Sequence, residues 1–455
     1  MKASRRNIIK SAPLLAAGTI AGAARLPKAH AADRAGTKYN FGHTEDFGTQ
    51  YYTRMTEILE NVRRTEMGMI GDLSSRMADT IKGGNEVWFQ AHEGHMGRFE
   101  NDEKLPGNPG IIRSMNGHEW GRVAKEKLAA MKKGDIFVTN HVSEEIRDAR
   151  ERGVHVVGVP VNYIDNEWTP RGFVHPNKND WLLGDVTNEI LQSYIPYTQG
   201  IVDIPQIPEL KVLPSSANSL YSIFWSFQCE VANKVKNRKA AHIDKSQIVM
   251  DTILERIHDA YRLQKDYMWD HAGTVAKMIG SGGHYHVTTD NPAVQEESNR
   301  VANGPMMTNA FREIIRFDGR TMGADDMKKG DVYLLATIEP DSKKIVDEAK
   351  KAKEMGMFTV VIGPGSCVEL RRYADCFIDN LNPEGTGLME IDGFDQRVGS
   401  LGSVLNNVMM WIFTAQFIDE MVRRGNIPWF YIGYYQIGGG PYDQSIKRFF
   451  DKQGF

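Results

Sequence analysis

Between Tyr51 and Gly83 the apolar residues Met55, Ile58, Leu59, Val62, Met69, Ile70, Leu73 and Met77 recur every three or four positions with polar residues between them. That spacing predicts helix with one buried face. The pattern then changes. "EVWFQAH" at Glu86–His92 is rich in strand formers and is bounded by Gly83-Gly84, which predicts a strand. A loop at Gly107-Asn108-Pro109-Gly110 and a helix around Gly121–Met131 follow. Next come "DIFVTN" and "VHVVGVPV", short unbroken apolar runs separated by the charged segment Ser143–Arg152. Strand, crossover helix and strand, with both strands apolar on both faces, describe a parallel unit covered by helices. "GIVDIP" at Gly200–Pro205 predicts a further strand, and Ser219–Val235 an apolar closing helix.

The same order then returns. "MKKGDIF" at Met131–Phe137 reappears as "MKKGDVY" at Met327–Tyr333, and the flanking element types agree. In the second half "GGHYHVTTD" (Gly282–Asp290), "DVYLLAT", "FTVVIG" and "DCFIDN" (Asp375–Asn380) predict four strands, and Ser403–Val422 a long apolar helix. Asn237–Tyr267, charged and helical in pattern, joins the halves. The fold class expected is α/β, with two tandem units, each a parallel sheet sandwiched by helices.

The first thirty residues stand apart. "SRRNIIK" at Ser4–Lys10 precedes the small, apolar run Ser11–Ala24 and the A-x-A pattern Ala29-His30-Ala31. Charge, a short apolar stretch and a small-residue cleavage site predict an export signal rather than a membrane span. The pair Arg5-Arg6 resembles a twin-arginine signal, which implies a periplasmic or otherwise exported protein. The expected division is 1–31 signal, 32–236 first unit, 237–267 helical linker and 268–455 second unit with a C-terminal tail. Nothing later is apolar enough for stable membrane insertion. Net charge is −3 with Lys and Arg spread along the chain, which argues against nucleic acid as a partner. Cys229, Cys367 and Cys376 form no C-x-x-C and no even framework. Cys229 lies in an apolar helical run; Cys367 and Cys376 could pair after export or remain buried thiols. The apolar helices and eight tryptophans favour a homodimer.

Tandem parallel units with "GDVYLLATIEPDSKKIVDEAKKAKEMGMFTVVI" resemble sugar isomerase (SIS) domains, in an arrangement similar to the isomerase half of glucosamine-6-phosphate synthase. The resemblance runs from about Tyr51 to the C-terminus and implies a small-molecule carbohydrate ligand with no required cofactor. Neither half carries a G-x-G-x-x-G turn after its first strand, which argues against a dinucleotide site. The family's phosphosugar loops read S-x-S-G-x-[ST]. Here they read Thr139-Asn140-His141-Val142-Ser143-Glu144 and Thr337-Ile338-Glu339-Pro340-Asp341-Ser342, so few hydroxyls remain. Ser143 and Ser342 also stand where helix N-caps would. The family's base glutamate is not cleanly matched: "VQEESNRVANG" keeps Glu296 and Glu297 near its start. The C-terminal "GGGPYDQSIKRFF" resembles the tail that supplies a lysine, with Lys447 in the comparable place; equally it reads as an amphipathic terminal helix.

Ligands of open parallel sheets bind at the carboxyl ends of the strands. In the first half those ends carry His92, Glu93, His95, Asn140, His141 and Asn162, with His118 and Glu119 nearby. In the second they carry Thr288, Asp290, Asn291, Thr337, Glu339 and Ser366. Two chemistries fit the first set. In one, Glu93 moves a proton between C1 and C2 of a sugar, with His95 or His141 as partner. In the other, His92, His95 and His141 ligate a divalent metal. Polar loop residues or interface histidines would look the same. Asp290, Glu339 and Asp341 would repel a phosphate monoester, so the expected ligand is an unphosphorylated sugar held by His92, Asn140, Ser143, Asn162, Asp290, Thr337, Glu339, Ser342 and Lys447. An isomerase of the aldose–ketose type and a non-catalytic carbohydrate-binding protein are the two functional classes that remain.

Overall fold

The computed structural model describes residues 45–90, 100–115, 125–161, 181–196, 199–208, 210–237, 239–290, 294, 297–298, 303–310, 327–383, 386–432 and 439–455. Helices α1 (Phe47–Thr65) and α2 (Met67–Lys82) open the described chain. Asp46 caps α1, its carboxylate accepting from Thr49 N at 2.7 Å. The first sheet contains β1 (Val87–Gln90), β2 (Arg113–Ser114), β3 (Ile136–Thr139), β4 (His155–Gly158) and β5 (Glu189–Ile190) in the order β2-β1-β3-β4-β5, all parallel. Helices α3 (Lys125–Ala130), α4 (Glu144–Glu151) and α5 (Leu183–Val186) lie between these strands in the chain. Residues 116–124 lie outside the described residues, so the expected start of α3 near Gly121 is not placed.

A β-ribbon follows, β6 (Gly200–Asp203) antiparallel to β7 (Lys211–Pro214). The strand expected at "GIVDIP" is thus present, but it pairs outside the five-stranded sheet. The connection back from Asp203 is too short for the crossover that parallel pairing requires. Two long helices come next, α6 (Ser216–Lys236) and α7 (Lys245–Gly280). The boundary expected between 267 and 268 falls inside α7, which runs through it unbroken. Its buried positions Ile253, Ile257, Ala260, Tyr261, Met268, Ala272 and Val275 keep helical spacing across that point.

The second sheet repeats the first. It contains β8 (Tyr285–Thr289), β9 (Thr308–Ala310), β10 (Val332–Ala336), β11 (Phe358–Gly363) and β12 (Cys376–Asp379), all parallel, ordered β9-β8-β10-β11-β12. Helix α8 (Lys343–Glu354) and a 3-10 turn at Leu370–Tyr373 connect its strands. Helices α9 (Gly402–Arg423) and α10 (Gly439–Gln453) end the chain. The four strands expected in this half form as expected. The short strands β2, β5 and β9, of two or three residues each, carry no periodic signal in the sequence.

Strand alternation builds two apolar layers per sheet. Ile136 and Val138 of β3, and Val332, Leu334 and Ala336 of β10, face one shared core with α1, α2, α6, α7 and α9. Phe137 faces outward with Leu128, Ile146 and Leu183. Tyr333 and Leu335 face outward with Ile345, Val346 and Ala349. Both faces are therefore covered, which is why the strands read as unbroken apolar runs.

The repeated "MKKGD" is a strand-start clamp. Gly134 and Gly330 hold positive φ, 96° and 90°, where a side chain would be strained. Asp135 then accepts from Glu86 N and Lys132 N, both at 2.9 Å. Asp331 does the same with His284 N at 2.8 Å and Lys328 N at 3.0 Å. Each aspartate fixes where two adjacent strands begin. The three cysteines are free and buried, so Cys367 and Cys376 do not pair. Among the described residues, no helix is long and apolar enough to cross a membrane.

Candidate functional site

In both sheets the strand order reverses direction between the first two long strands: β1 and β3 in one, β8 and β10 in the other. Crossovers leave toward opposite faces there, and a crevice opens at the carboxyl ends. Gln90, Thr139, Asn140 and His141 stand at the first crevice; Asp290, Thr337 and Ile338 stand at the second.

At the first crevice Thr139 Oγ1 donates to Gln90 Oε1 at 2.7 Å, and His141 N donates to Thr139 Oγ1 at 3.0 Å. Asn140 is buried. Burial, only partly countered by the charge of Glu145, lowers His141 to about 4, so its imidazole is neutral near pH 7. Ser143 Oγ accepts from Ile146 N at 3.4 Å. That hydroxyl caps α4, and Glu144 and Glu145 follow in the first turn where the helix dipole favours acids. His92, Glu93, His95, His118, Glu119 and Asn162 lie outside the described residues, so their convergence on His141 is not placed.

The second crevice is built around Asp290. Its Oδ2 accepts from Thr337 Oγ1 at 2.5 Å and its Oδ1 from Ile338 N at 3.1 Å. Thr337 shares its hydroxyl with the Glu339 carbonyl at 2.7 Å. Burial raises Asp290 above the usual carboxylate value despite these donors, and Glu339 adds to the rise. The Glu339 residue is exposed. Asp341 points elsewhere: it accepts from Val368 N, Glu369 N and Leu370 N at 2.9, 3.0 and 2.9 Å. Burial pushes its carboxyl up, but the three backbone donors outweigh that and lower it. Ser342 is the N-cap residue of α8, as expected, but makes no side-chain cap bond to it. Its carbonyl, not its hydroxyl, receives Ile345 N and Val346 N at 2.9 Å. Lys447 pairs with Asp451 one turn along α10 at 2.6 Å. The helix buries Tyr442 and Ile446 against Met306 and Trp429, as an amphipathic terminal helix does.

Between the crevices runs a polar network that the candidate residues did not include. Asn406 Nδ2 donates to the Thr337 carbonyl at 2.9 Å, and Asn380 Nδ2 donates to Asn406 Oδ1 at 2.7 Å. Asn407 Nδ2 reaches Asn218 Oδ1 at 3.0 Å, and Asn218 Nδ2 reaches the Tyr51 hydroxyl at 2.9 Å. Burial, then the charge of Glu297, raises Tyr51 well above its ordinary value. Glu297 and Glu100 are both buried. Trp225 Nε1 and Ser403 Oγ both donate to Glu100 Oε1, tying the two halves through one carboxylate. The signal was present in the sequence: Asn218, Ser219, Asn406 and Asn407 interrupt otherwise apolar helices, and buried polar side chains are there for partners.

No family model matches the chain and no curated protein matches it. Solved structures do. The C-terminal domain of glucosamine-fructose-6-phosphate aminotransferase from Francisella tularensis aligns at 10% identity over 86% of this chain and 99% of that one, with a TM-score of 0.47. A protein from Silicibacter pomeroyi assigned as a phosphosugar isomerase aligns at 12% identity over 82% and 98%, with a TM-score of 0.46. A protein from Salmonella typhimurium assigned as sugar binding aligns at 12% over 81% and 98%, with a TM-score of 0.42. The α/β fold itself stands on the strand order and pairing above.

Proposed function

We propose that this protein binds a neutral sugar or sugar derivative at the carboxyl ends of its two sheets, with aldose–ketose proton transfer as the favoured chemistry. One observation carries the reading. At the two strand-order reversals stand a neutral imidazole with an amide–hydroxyl pair and a carboxylate–hydroxyl pair, groups that match the paired donors and acceptors of adjacent sugar hydroxyls. Glu339, exposed on the second loop, places a carboxylate at that crevice. A single negative charge about 4 Å from a phosphate charge costs about 4 kcal/mol at an effective dielectric near 20, which supports an unphosphorylated ligand. His141, neutral near pH 7, would accept or donate a hydrogen bond to a hydroxyl. The base role then falls to Glu93. No metal is required in this scheme. Export through the N-terminal signal belongs to the same proposal, since free phosphosugars are chiefly cytoplasmic.

The test is solvent deuterium exchange into C2 of candidate aldoses, beside calorimetry of one sugar and its 6-phosphate in chelator. Exchange that is lost in Glu93→Gln supports the isomerase. Sugar binding without exchange leaves a carbohydrate-binding protein, the second reading, favoured by the mutual engagement of Asp290 and Thr337. Tighter binding of the 6-phosphate overturns the neutral-ligand proposal. A native protein whose N-terminus is still Met1, rather than close to Ala32, overturns export.

A further inference from the structure

The opposite, amino-terminal edge of the second sheet carries a different set of groups. His284 precedes β8 and His286 lies within it, two positions apart and so on one face of the strand. Asp331, which begins β10, stands beside both. Its Oδ2 is 3.0 Å from His286 Nε2 and 3.7 Å from His284 Nδ1. One ligand atom from each of the three residues lies within 4.8 Å of the others. The imidazole rings meet at 87° with centroids 5.9 Å apart. His286 and Asp331 are fully buried, whereas the His284 side chain is 41% exposed.

The strand-start clamp does not explain the histidines. In the first sheet Asp135 makes the same two backbone contacts. By strand register, Glu86 and Trp88 occupy there the places of His284 and His286. Trp88 instead packs under Arg113 and Lys127. The histidines are thus a feature of the second sheet alone, added to a clamp that works without them. We propose that His284 Nδ1, His286 Nε2 and Asp331 Oδ2 form a binding site for a divalent transition metal of the zinc class.

The distances suit such an ion. Ligands about 2.1 Å from a tetrahedral centre stand about 3.4 Å apart, and the two measured separations, 3.0 and 3.7 Å, bracket that value. A carboxylate offers about four lone-pair sites, so Asp331 can keep its backbone donors and still ligate. Two imidazoles and one carboxylate favour zinc, cobalt or nickel over magnesium or calcium. His284 Nδ1 is itself buried while the rest of the ring is part-exposed, so a water serving as fourth ligand would enter past that ring. The ion would pin β8 to β10 at the end of the sheet away from the crevice, a structural role.

The test uses the full chain stripped with chelator and titrated with Co²⁺, followed by Zn²⁺ competition. Wild type should take up one ion that gives an intense tetrahedral visible spectrum displaced by Zn²⁺. His284→Ala, at the surface, should melt like wild type in chelator yet bind at least about tenfold more weakly, the scale at which metal-shell changes act. His286→Gln keeps a hydrogen bond to Asp331 and should lose the spectrum as well. If no ion binds, or if affinity and spectrum are unchanged in His284→Ala, the site does not exist.

Discussion

Replacing Thr337 with valine probes the second crevice with almost no change of shape. The substitution removes a hydroxyl that donates to Asp290 Oδ2 at 2.5 Å. A hydrogen bond to a charged acceptor is worth about 1.5–3 kcal/mol. The added methyl in a fully buried position returns up to about 0.8 kcal/mol. A net loss of about 1–2 kcal/mol is therefore expected at neutral pH, measurable as a lower urea midpoint at unchanged slope. The pH dependence is the sharper test. Burial raises folded Asp290 above its ordinary value, so the folded state holds its proton where the unfolded state has lost it. Wild type consequently loses stability as pH rises from the unfolded value through the folded one. Valine takes away a donor that favours the anion, so the folded value climbs further and the mutational cost grows with pH. Well below the ordinary carboxylate value the carboxyl is neutral and the cost should shrink toward that of an uncharged bond, about 0.5–1.5 kcal/mol. Making the valine change in an Asp290→Asn background should shrink the cost in the same way at neutral pH. A cost that is equal at both pH values, and equal in the Asp290→Asn background, would falsify the assignment of that bond to an ionised Asp290.

Two further predictions concern titration. His141 is lowered to about 4 by burial, so stability present above pH 6.5 should fall as pH drops through the window to 4, by at most about 3 kcal/mol at 1.36 kcal/mol per unit. His141→Gln should flatten that acid limb in pH-dependent melts, and an unchanged difference from wild type would show the ring is not held neutral. Burial raises Asp443 to about 7 while Ile432 N donates to it at 2.9 Å. Wild type should lose stability as pH rises from 3.8 through 7; Asp443→Asn keeps the acceptor and should gain about 2–4 kcal/mol at pH 8 relative to pH 4. No relative gain would mean the carboxyl already ionises in solvent. A further variant tests how the halves interlock. Gly107 has φ of 85°, and a Cβ there would stand 1.9 Å from the Thr386 carbonyl oxygen. Gly107→Ala should cost about 2 kcal/mol or more in a thermal melt, and a neutral result would show that the loop moves aside.

Much of the fold was legible without coordinates. Helix α1, α2, the long strands β1, β3, β4, β8, β10, β11 and β12, and the apolar helices α6 and α9 announce themselves because period and apolar content are local properties of the chain. The double "MKKGD" revealed the repeat, since a glycine at positive φ followed by a clamping aspartate is a requirement that five residues can state. The direction of β6 was not legible, because a strand-like run does not say which neighbour it will pair with. Nor was the continuity of α7 across the expected boundary at 267/268, since a change of function along a chain need not break a helix.

The site divides along the same line. Thr139, His141, Asp290 and Thr337 could be named from sequence because strand ends are predictable and parallel sheets bind ligands there. What each group does was decided by partners far away in the chain. Both Ser143 and Ser342 stand at helix N-caps, yet only the Ser143 hydroxyl makes the capping bond. Asp341 went to the backbone of 368–370, while Asp290 was left against Thr337. Asn406, Asn218, Tyr51 and Glu100 were joined into one network only when α1, α6 and α9 packed together. Burial, the largest cause that sets His141 low and Asp290 high, does not exist until the helices close over the sheets. Local sequence determined the elements and the chemistry available at their ends; the tertiary structure decided which of those groups would be dehydrated together, and hydrogen bonding and charge follow from that.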